Sequence, residues 1–372
     1  MKRLPLVTVL MAVYNGQVYL KGSIESILSQ TYRNFEFLII NDCSTDNTLE
    51  IVKSYSDDRI KLYSNKKNIG QTKSLNVGLK LAKGKYVARM DADDKAYPEW
   101  LSKIVENIEK EKNITALGTS AIVINNTGTI KEIRRMPLDF DEIIFRIFFA
   151  PPINHVSVII KRKDLIKLGG YDEEFNITQD YELWSEMIRK KYCIKNISDI
   201  LIAYRVHSNS LGFIESNNRG MLEKSETIFR NINSLTCLKI RKTDAMSICK
   251  LFYQTNQLTL GEIVKTQELF KDIYRHLNIE YRISEAVIKR CIKNQMLKPY
   301  CKFAMHNILK GDLNKAKKIL ILYRKYYGFH IMPTIILVSI KTNLGIAKKM
   351  AYFYEKINEI NSKIICYLKL KY

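Results

Sequence analysis

The first hundred residues switch back and forth between two hydrophobic periods, and that switching limits the folds open to the chain. Val7–Val13 reads as a buried strand, and Tyr19–Gln30 then sets Leu20, Ile24, Ile27 and Leu28 at helical spacing. Phe35–Ile40 is a second strand. Leu49, Ile51 and Val52 predict a helix after it, with Ser44 or Thr45 as its cap. Arg59–Tyr63 is a short third strand. Gln71–Lys83 carries Leu75, Leu79 and Ala82 on one side of a helix, with Gly84 as its stop. Tyr86–Met90 is a fourth strand, and Pro98 opens a helix with Leu101, Ile104, Val105 and Ile108 on one face. Strands alternating with helices across short turns imply an α/β fold, a parallel sheet covered on both faces.

The polar residues fall where such a sheet binds ligands. Tyr14 and Asn15 follow the first strand, Asn41 and Asp42 the second, and Asp91, Asp93 and Asp94 the fourth. All are at carboxyl ends of parallel strands, the edge along which open α/β sheets form their crevice. Three carboxylates in four residues repel one another unless a cation sits among them. A hard divalent ion bridging to a phosphate would serve, and a solvated acidic turn is the plainer alternative. Neither a G-x-G-x-x-G nor a G-x-x-x-x-G-K-[ST] loop occurs, so a glycine cradle for a dinucleotide or nucleotide phosphate is not expected.

Charge separates the chain into two parts. Residues 1–214 hold 31 basic and 26 acidic residues, net +5, whereas residues 215–372 hold 29 and 12, net +17. We expect two domains, one at 1–214 built on this sheet and one at 215–372, basic and helical. A field of that size points to an anionic partner. Lys315, Lys317, Lys318, Arg324 and Lys325 crowd an expected helix over Asp312–Tyr326, interleaved with Ile319, Leu320, Ile321, Leu322 and Tyr323. A second amphipathic pattern runs through Ile346, Met350, Phe353, Ile357, Ile360 and Ile364. Such faces suit either a helical bundle with solvated lysines or an anionic membrane surface. The longest apolar run, Ile331–Ile340, is about half the roughly 20 residues that a spanning helix needs. Seven cysteines with no C-x-x-C pair argue against a disulfide framework or a zinc site and suggest a reducing compartment.

Four local patterns, in this order, resemble the family 2 glycosyltransferases, which have the GT-A fold. They are Val9–Gly16; Gln30–Glu36 with Asn41–Thr48; Asn68-Ile69-Gly70 through Ala82–Tyr86 to Ala88–Asp94; and Gln179-Asp180-Tyr181-Glu182-Leu183-Trp184. The resemblance spans about Pro5 to Leu211. It implies a Rossmann-like, mostly parallel sheet with helices on both faces, followed here by an all-α region. It implies a nucleotide-sugar donor, usually a UDP-sugar, and transfer with inversion. Val13, Tyr14, Asn15, Asp42, Asn68 and Asp91 would line the nucleotide-sugar, with Asp42 accepting the uracil imide N–H. Asp93, with His207 as a further ligand, would hold Mn²⁺ or Mg²⁺ on the diphosphate. Asp180 resembles the catalytic base that deprotonates the acceptor hydroxyl. The residue before it is usually Glu in the family and is Gln179 here. His155, Glu182 and Trp184 are candidates for the acceptor side, each with a structural alternative: a buried histidine, a surface helix charge and a core tryptophan. Gly169-Gly170 reads as a helix end.

The acceptor expected from the resemblance is a saccharide or lipid-linked saccharide in bacterial surface polysaccharide synthesis, of capsule or O-antigen type. The expected location is cytoplasmic, peripheral on the inner face of the membrane. Two other functions are weighed. A basic nucleic-acid-binding protein would want a binding module that the chain lacks, and its acidic crevice would repel phosphate without a metal. A metal-dependent nucleotidyltransferase would want a glycine-rich, basic loop after the first strand, where Tyr14–Lys21 has none.

Overall fold

A computed structural model describes residues 4–207, 218–254 and 257–327. The apolar run Ile331–Ile340 and the pattern from Ile346 to Ile364 lie outside the described residues. The chain divides into two compact units, Met1–Glu215 and Ser216–Tyr372.

In chain order the first unit runs β1 (Val7–Val13), α1 (Leu20–Leu28), β2 (Phe35–Asn41), α2 (Thr48–Lys53), β3 (Ile60–Ser64), α3 (Gln71–Leu81), β4 (Tyr86–Arg89), β5 (Lys95–Ala96) and α4 (Trp100–Lys110). It continues through β6 (Ile114–Ile124), β7 (Ile130–Arg134), α5 (Phe140–Arg146), a 3₁₀ turn (His155–Ser157), β8 (Ile159–Lys161), α6 (Arg162–Leu168), α7 (Gln179–Arg189) and β9 (Cys193–Arg205). The strands form one sheet in the order β3-β2-β1-β4-β8-β6-β9-β5, with β7 added on β6. The first four are mutually parallel, Val7 facing Phe35 of β2 and Tyr86 of β4. Beyond β4 the sheet becomes mixed: β8 is antiparallel to β4 and β6, and β9 parallel to β6. This is the GT-A-like arrangement expected.

All seven residues of β1 are buried, as befits a central strand covered on both faces. Val7, Val9 and Met11 share one core with Leu20, Ile24 and Ile27 of α1 and with Leu101, Ile104, Val105 and Ile108 of α4. Leu10 and Ile40 point to the opposite face, where α3 lies so close at Gly78 that a side chain there would overlap Leu10. The glycine lets α3 settle onto the sheet, at the usual cost in helix propensity.

Two local expectations fail. Ser44 and Thr45 do not cap α2, which starts at Thr48 behind Asn47; their side chains serve a neighbouring loop, described below. Gly84 does not stop α3, which ends at Leu81 as Ala82 turns to extended backbone. Gly84 is instead needed for close approach: its N–H donates to Thr8 Oγ1 at 2.9 Å, and a Cβ there would overlap the Thr8 amide nitrogen. Gly169 does end its helix, in left-handed backbone at φ 103°.

The second unit is helical where described: α8 (Asn218–Leu235), α9 (Lys242–Tyr253), α10 (Leu260–Tyr281), α11 (Glu285–Leu309) and α12 (Leu313–Tyr327). A reciprocal cap opens α10, with Glu262 N–H donating to Thr259 Oγ1 and Thr259 N–H donating to the Glu262 carboxylate. In α12, Ala316, Ile319, Leu320 and Tyr323 are fully buried, while Lys315, Lys317 and Lys318 are exposed. Most of the apolar residues expected to back a basic surface are therefore spent on the helical core. Among the described residues no helix is long and apolar enough to cross a membrane.

Gly84→Ala should destabilise the protein by about 1–3 kcal/mol, the range for forcing a methyl into packed backbone. A urea-unfolding midpoint equal to that of wild type would show that β1 and the turn before β4 can move apart.

Candidate active site

The loops leaving β1 and β2 are stapled to each other side chain to backbone. Asn15 N–H donates to Ser44 Oγ at 3.0 Å, and Thr45 N–H returns a bond to Asn15 Oδ1 at 2.8 Å. Gly16 N–H donates to Thr48 Oγ1, Gln17 N–H to Asp46 Oδ2, and Asn47 N–H to Gln17 Oε1. Hydrogen bonds to Gln17 and Thr48 hold the Asp46 carboxyl below its usual range, against the opposing effect of burial. Asn15 and Cys43 take left-handed backbone, φ 51° and 60°, to bring these loops together. The Asn15 side chain is thus committed to the staple. Val13 is buried, and its carbonyl accepts from Asp42 N–H. Tyr14, 49% exposed, is left at the mouth of the crevice.

Asp42 is buried beneath the loop that precedes α3. Its Oδ1 accepts from Asn65 Nδ2 at 2.8 Å and from Ile69 N–H at 3.0 Å, and its Oδ2 accepts from Gly70 N–H at 2.8 Å. An ionised carboxylate has about four acceptor positions. Three are occupied by protein, so Asp42 shapes the Asn65–Gly70 loop and retains one position, on Oδ2. Asn68 is exposed on that loop, its Oδ1 sharing Gly70 N–H at 3.2 Å.

The three aspartates after β4 have three different environments. Asp91 is ion-paired with Arg89, a fully buried arginine, and its Oδ1 also accepts from Gln71 Nε2 at 3.0 Å. Asp94 is fully buried; its Oδ1 accepts Arg205 N–H at 2.6 Å, and its Oδ2 has no partner. Burial, then the charges of Asp93 and Asp91, push the Asp94 carboxyl well above the usual carboxylate range. The Arg205 guanidinium is spent on the carbonyls of Asp93, Asn125 and Asn126 and lies over the Tyr19 ring. The Asp93 carboxylate meets His207, Nε2 to Oδ2 at 3.0 Å. Burial and the charge of Asp91 raise its pKa, and His207 pulls the other way. Among the described residues no group of three or more His, Cys, Asp or Glu side chains is placed to hold a metal.

The helix α7 begins at Gln179, so Asp180 lies in its first turn, where the helix dipole favours a carboxylate. Asp180 is half-buried and its Oδ1 accepts from Tyr181 N–H at 2.8 Å. Gln179 Nε2 donates to Gln71 Oε1 at 2.9 Å. Because Gln71 also donates to Asp91, the first turn of α7 is tied to the acidic loop.

His155 stacks edge-on with Tyr171 and Trp184 and bonds Tyr171 Oη at 2.9 Å. Burial, then the nearby Arg89, push its pKa well below the usual histidine value, so it is neutral. Trp184 is fully buried, the core alternative. Glu182 is no surface charge: it is 1% exposed and ion-paired with Arg189, two helical turns on. Arg89, Gln71 and Arg205 were not singled out from sequence. Arg89 alone left a signal, a charge inside an otherwise apolar strand.

The sequence profile described as "Glycosyl transferase family 2" matches residues 8–169. An uncharacterized glycosyltransferase of Haemophilus influenzae is 36% identical over 268 residues, 68% of this chain and 82% of that protein. One of Escherichia coli, the UDP-Glc:alpha-D-GlcNAc-diphosphoundecaprenol beta-1,3-glucosyltransferase WfaP, is 28% identical over 68% of this chain and 94% of its own length. Among solved structures, S. aureus TarS 1–349 with UDP-GlcNAc aligns with a TM-score of 0.54 at 19% identity, covering 87% of this chain and 94% of that one. The mannosyltransferase PcManGT of Pyrobaculum calidifontis aligns at 0.51 with 14% identity, covering 98% and 87%. At these identities the structural matches speak for the fold alone.

The raised pKa of Asp94 predicts a pH effect with a definite sign. The folded protein keeps a proton on Asp94 that the unfolded chain releases in the ordinary carboxylate range. Stability is therefore lost as pH climbs from that range through the raised folded value. Asp94→Asn removes that loss, so in metal-free buffer the variant should match or exceed wild type at neutral pH, with a flatter stability profile. A variant that is less stable at neutral pH and has an unchanged slope would contradict a neutral Asp94.

Proposed function

The chain belongs to glycosyl transferase family 2, and on that premise we propose that it inverts the donor's anomeric configuration, using a UDP-sugar as donor. The acceptor in this reading is the hydroxyl of a saccharide or lipid-linked saccharide in bacterial surface polysaccharide synthesis. One observation carries it. Clusters following three parallel strands meet at one edge of the sheet, and the Gln179–Gln71–Asp91 contacts bring Asp180 to that same edge. The activity for which WfaP is named, from UDP-Glc to a diphosphoundecaprenol-linked sugar, supports the donor and acceptor classes.

Each side chain then has a task. Exposed Tyr14 covers the base, the remaining acceptor position of Asp42 takes an N–H of uracil, and Asn68 and Asp91 border the ribose. Asp93 and His207 fit Mn²⁺ or Mg²⁺: a carboxylate and an imidazole 3.0 Å apart match the edge of an octahedron with bonds of about 2.1 Å. Such an ion neutralises charge that builds on the departing nucleoside diphosphate. Asp180 accepts the proton of the attacking hydroxyl. Neutral His155 borders the acceptor side, with Trp184 and the Glu182–Arg189 pair as support behind it.

The basic helical unit, net +17 from residue 215, is proposed to rest on an anionic membrane surface, where a lipid-linked acceptor would be found. The full chain should then sediment with anionic vesicles, not neutral ones, and be released by salt, which screens charges beyond about 8–10 Å at 0.1–0.15 M. Equal binding to both kinds of vesicle would refute the electrostatic contact.

Asp180→Asn keeps the shape and removes the base. Transfer should fall by about 10²–10⁴-fold, the usual weight of general-base catalysis, while UDP binding persists. Proton NMR coupling constants of the wild-type product should show the configuration opposite to the donor's. Retained configuration, or near-normal transfer by the variant, would remove Asp180 from the role of base.

A further inference from the structure

Gln71 and Gln179 form a hydrogen-bond chain whose direction is fixed from one end. Asp91 Oδ1, already in an ion pair with Arg89, accepts from Gln71 Nε2 at 3.0 Å. Gln71 must therefore turn its carbonyl oxygen toward α7, where Gln179 Nε2 donates to it at 2.9 Å. Flipping Gln71 would set its oxygen against Asp91; flipping Gln179 would set two carbonyl oxygens face to face.

The position of Gln179 is costly. It is 4% exposed, and its Oε1 is buried without a donor. A buried acceptor left unpaired loses hydration that nothing replaces. For packing alone an apolar side chain of this size would serve better. The cost makes sense if the useful part of the side chain is the one N–H aimed at Gln71.

Resting on the reading of Asp180 as base and Asp91 as a donor-side residue, we propose that Gln179 is a positioning residue for transfer. Its amide pins the first turn of α7 to Gln71, and so fixes Asp180 relative to the loop that holds the donor. In-line attack needs that relation, and a misplacement of about 1 Å can cost about 10²-fold. The carboxamide at 179, where the resemblance leads one to expect Glu, is then a requirement of this site: an ionised Glu would present an acceptor to an acceptor.

The test compares wild type with Gln179→Leu, Gln179→Glu, the pair Gln71→Lys with Gln179→Glu, and Asp180→Asn. The readouts are UDP release from UDP-glucose or UDP-N-acetylglucosamine, whichever turns over faster, UDP affinity by calorimetry, and Tm. Gln179→Leu should lower kcat about tenfold, with UDP affinity nearly unchanged and Tm equal or higher; Gln179→Glu should lower kcat about 10²-fold. Lysine at 71 can donate to both Asp91 and Glu, so the pair should be at least about tenfold faster than Gln179→Glu alone. Wild-type kcat in Gln179→Leu, or a pair no faster than Gln179→Glu, would overturn the proposal. So would a kcat loss that follows a fall in Tm. Should Gln179→Leu not fold, the comparison of Gln179→Glu with the pair decides. Wild-type turnover by Asp180→Asn would defeat the underlying reading; an inactive Asp180→Asn beside a fully active Gln179→Leu would defeat this inference alone.

Discussion

Three carboxylates stand within four residues in this fold because each is given a different partner. Asp91 takes the buried Arg89, Asp94 is buried beneath the backbone of Arg205 with its carboxyl pushed well above the usual range, and Asp93 faces His207. Both arginines are engaged at this loop, although the Arg89 Nε is buried without a partner. Arg89 lies against Asp91 and the Met90 carbonyl, while Arg205 bridges the Asp93 carbonyl to the turn after β6. The charge is therefore not spread evenly over the loop. It is reduced to Asp93 beside an imidazole, with Asp91 restrained next to it, an arrangement suited to one divalent ion on a diphosphate.

The remainder of the crevice depends on the same economy. Asp42 uses three of its acceptor positions to shape the Asn65–Gly70 loop, which leads directly into α3 and so into Gln71. Gln71 links Asp91 to Gln179, and Asn76 of the same helix clamps Tyr171, its Oδ1 accepting from the Tyr171 N–H and its Nδ2 donating to the carbonyl. The helix α3 thus touches the loop held by Asp42, the acidic loop and the segment that carries the proposed catalytic base. Its placement rests on Gly78, which lets it press against Leu10 and Ile40.

What could be read from the sequence was what is local. The alternation of periods showed the first four strands and the edge on which Tyr14, Asp42 and Asp91–Asp94 gather, but not β5, β6, β7 or β9. The left-handed cap at Gly169 was legible for the same reason. What could not be read depends on partners far along the chain. Ser44 and Thr45 look like caps, yet they bond Asn15 across 29 and 30 residues. Asp42 reads as a lone acid at a strand end until Asn65, Ile69 and Gly70 fold over it. Gln179 reads as a lost carboxylate until Gln71, 108 residues earlier, is seen to need a donor. Glu182 is the exception: Arg189 lies two turns on along the same helix face, so the buried pair had a local sign. The basic stretch in α12 was read correctly as helical, but Ile319, Leu320 and Tyr323 turn inward, which periodicity alone cannot distinguish from a surface-backing face.

We propose that Asp93, unlike Asp91 on Arg89 and the buried Asp94, is the carboxylate that couples donor binding to a divalent ion. Calorimetric titration of UDP into wild type and Asp93→Ala, each with Mn²⁺ and again with EDTA, tests it most directly. Mn²⁺ should strengthen UDP binding in wild type and make no difference in the variant. An Asp93→Ala protein whose UDP affinity still rises with Mn²⁺, as far as that of wild type, would contradict it.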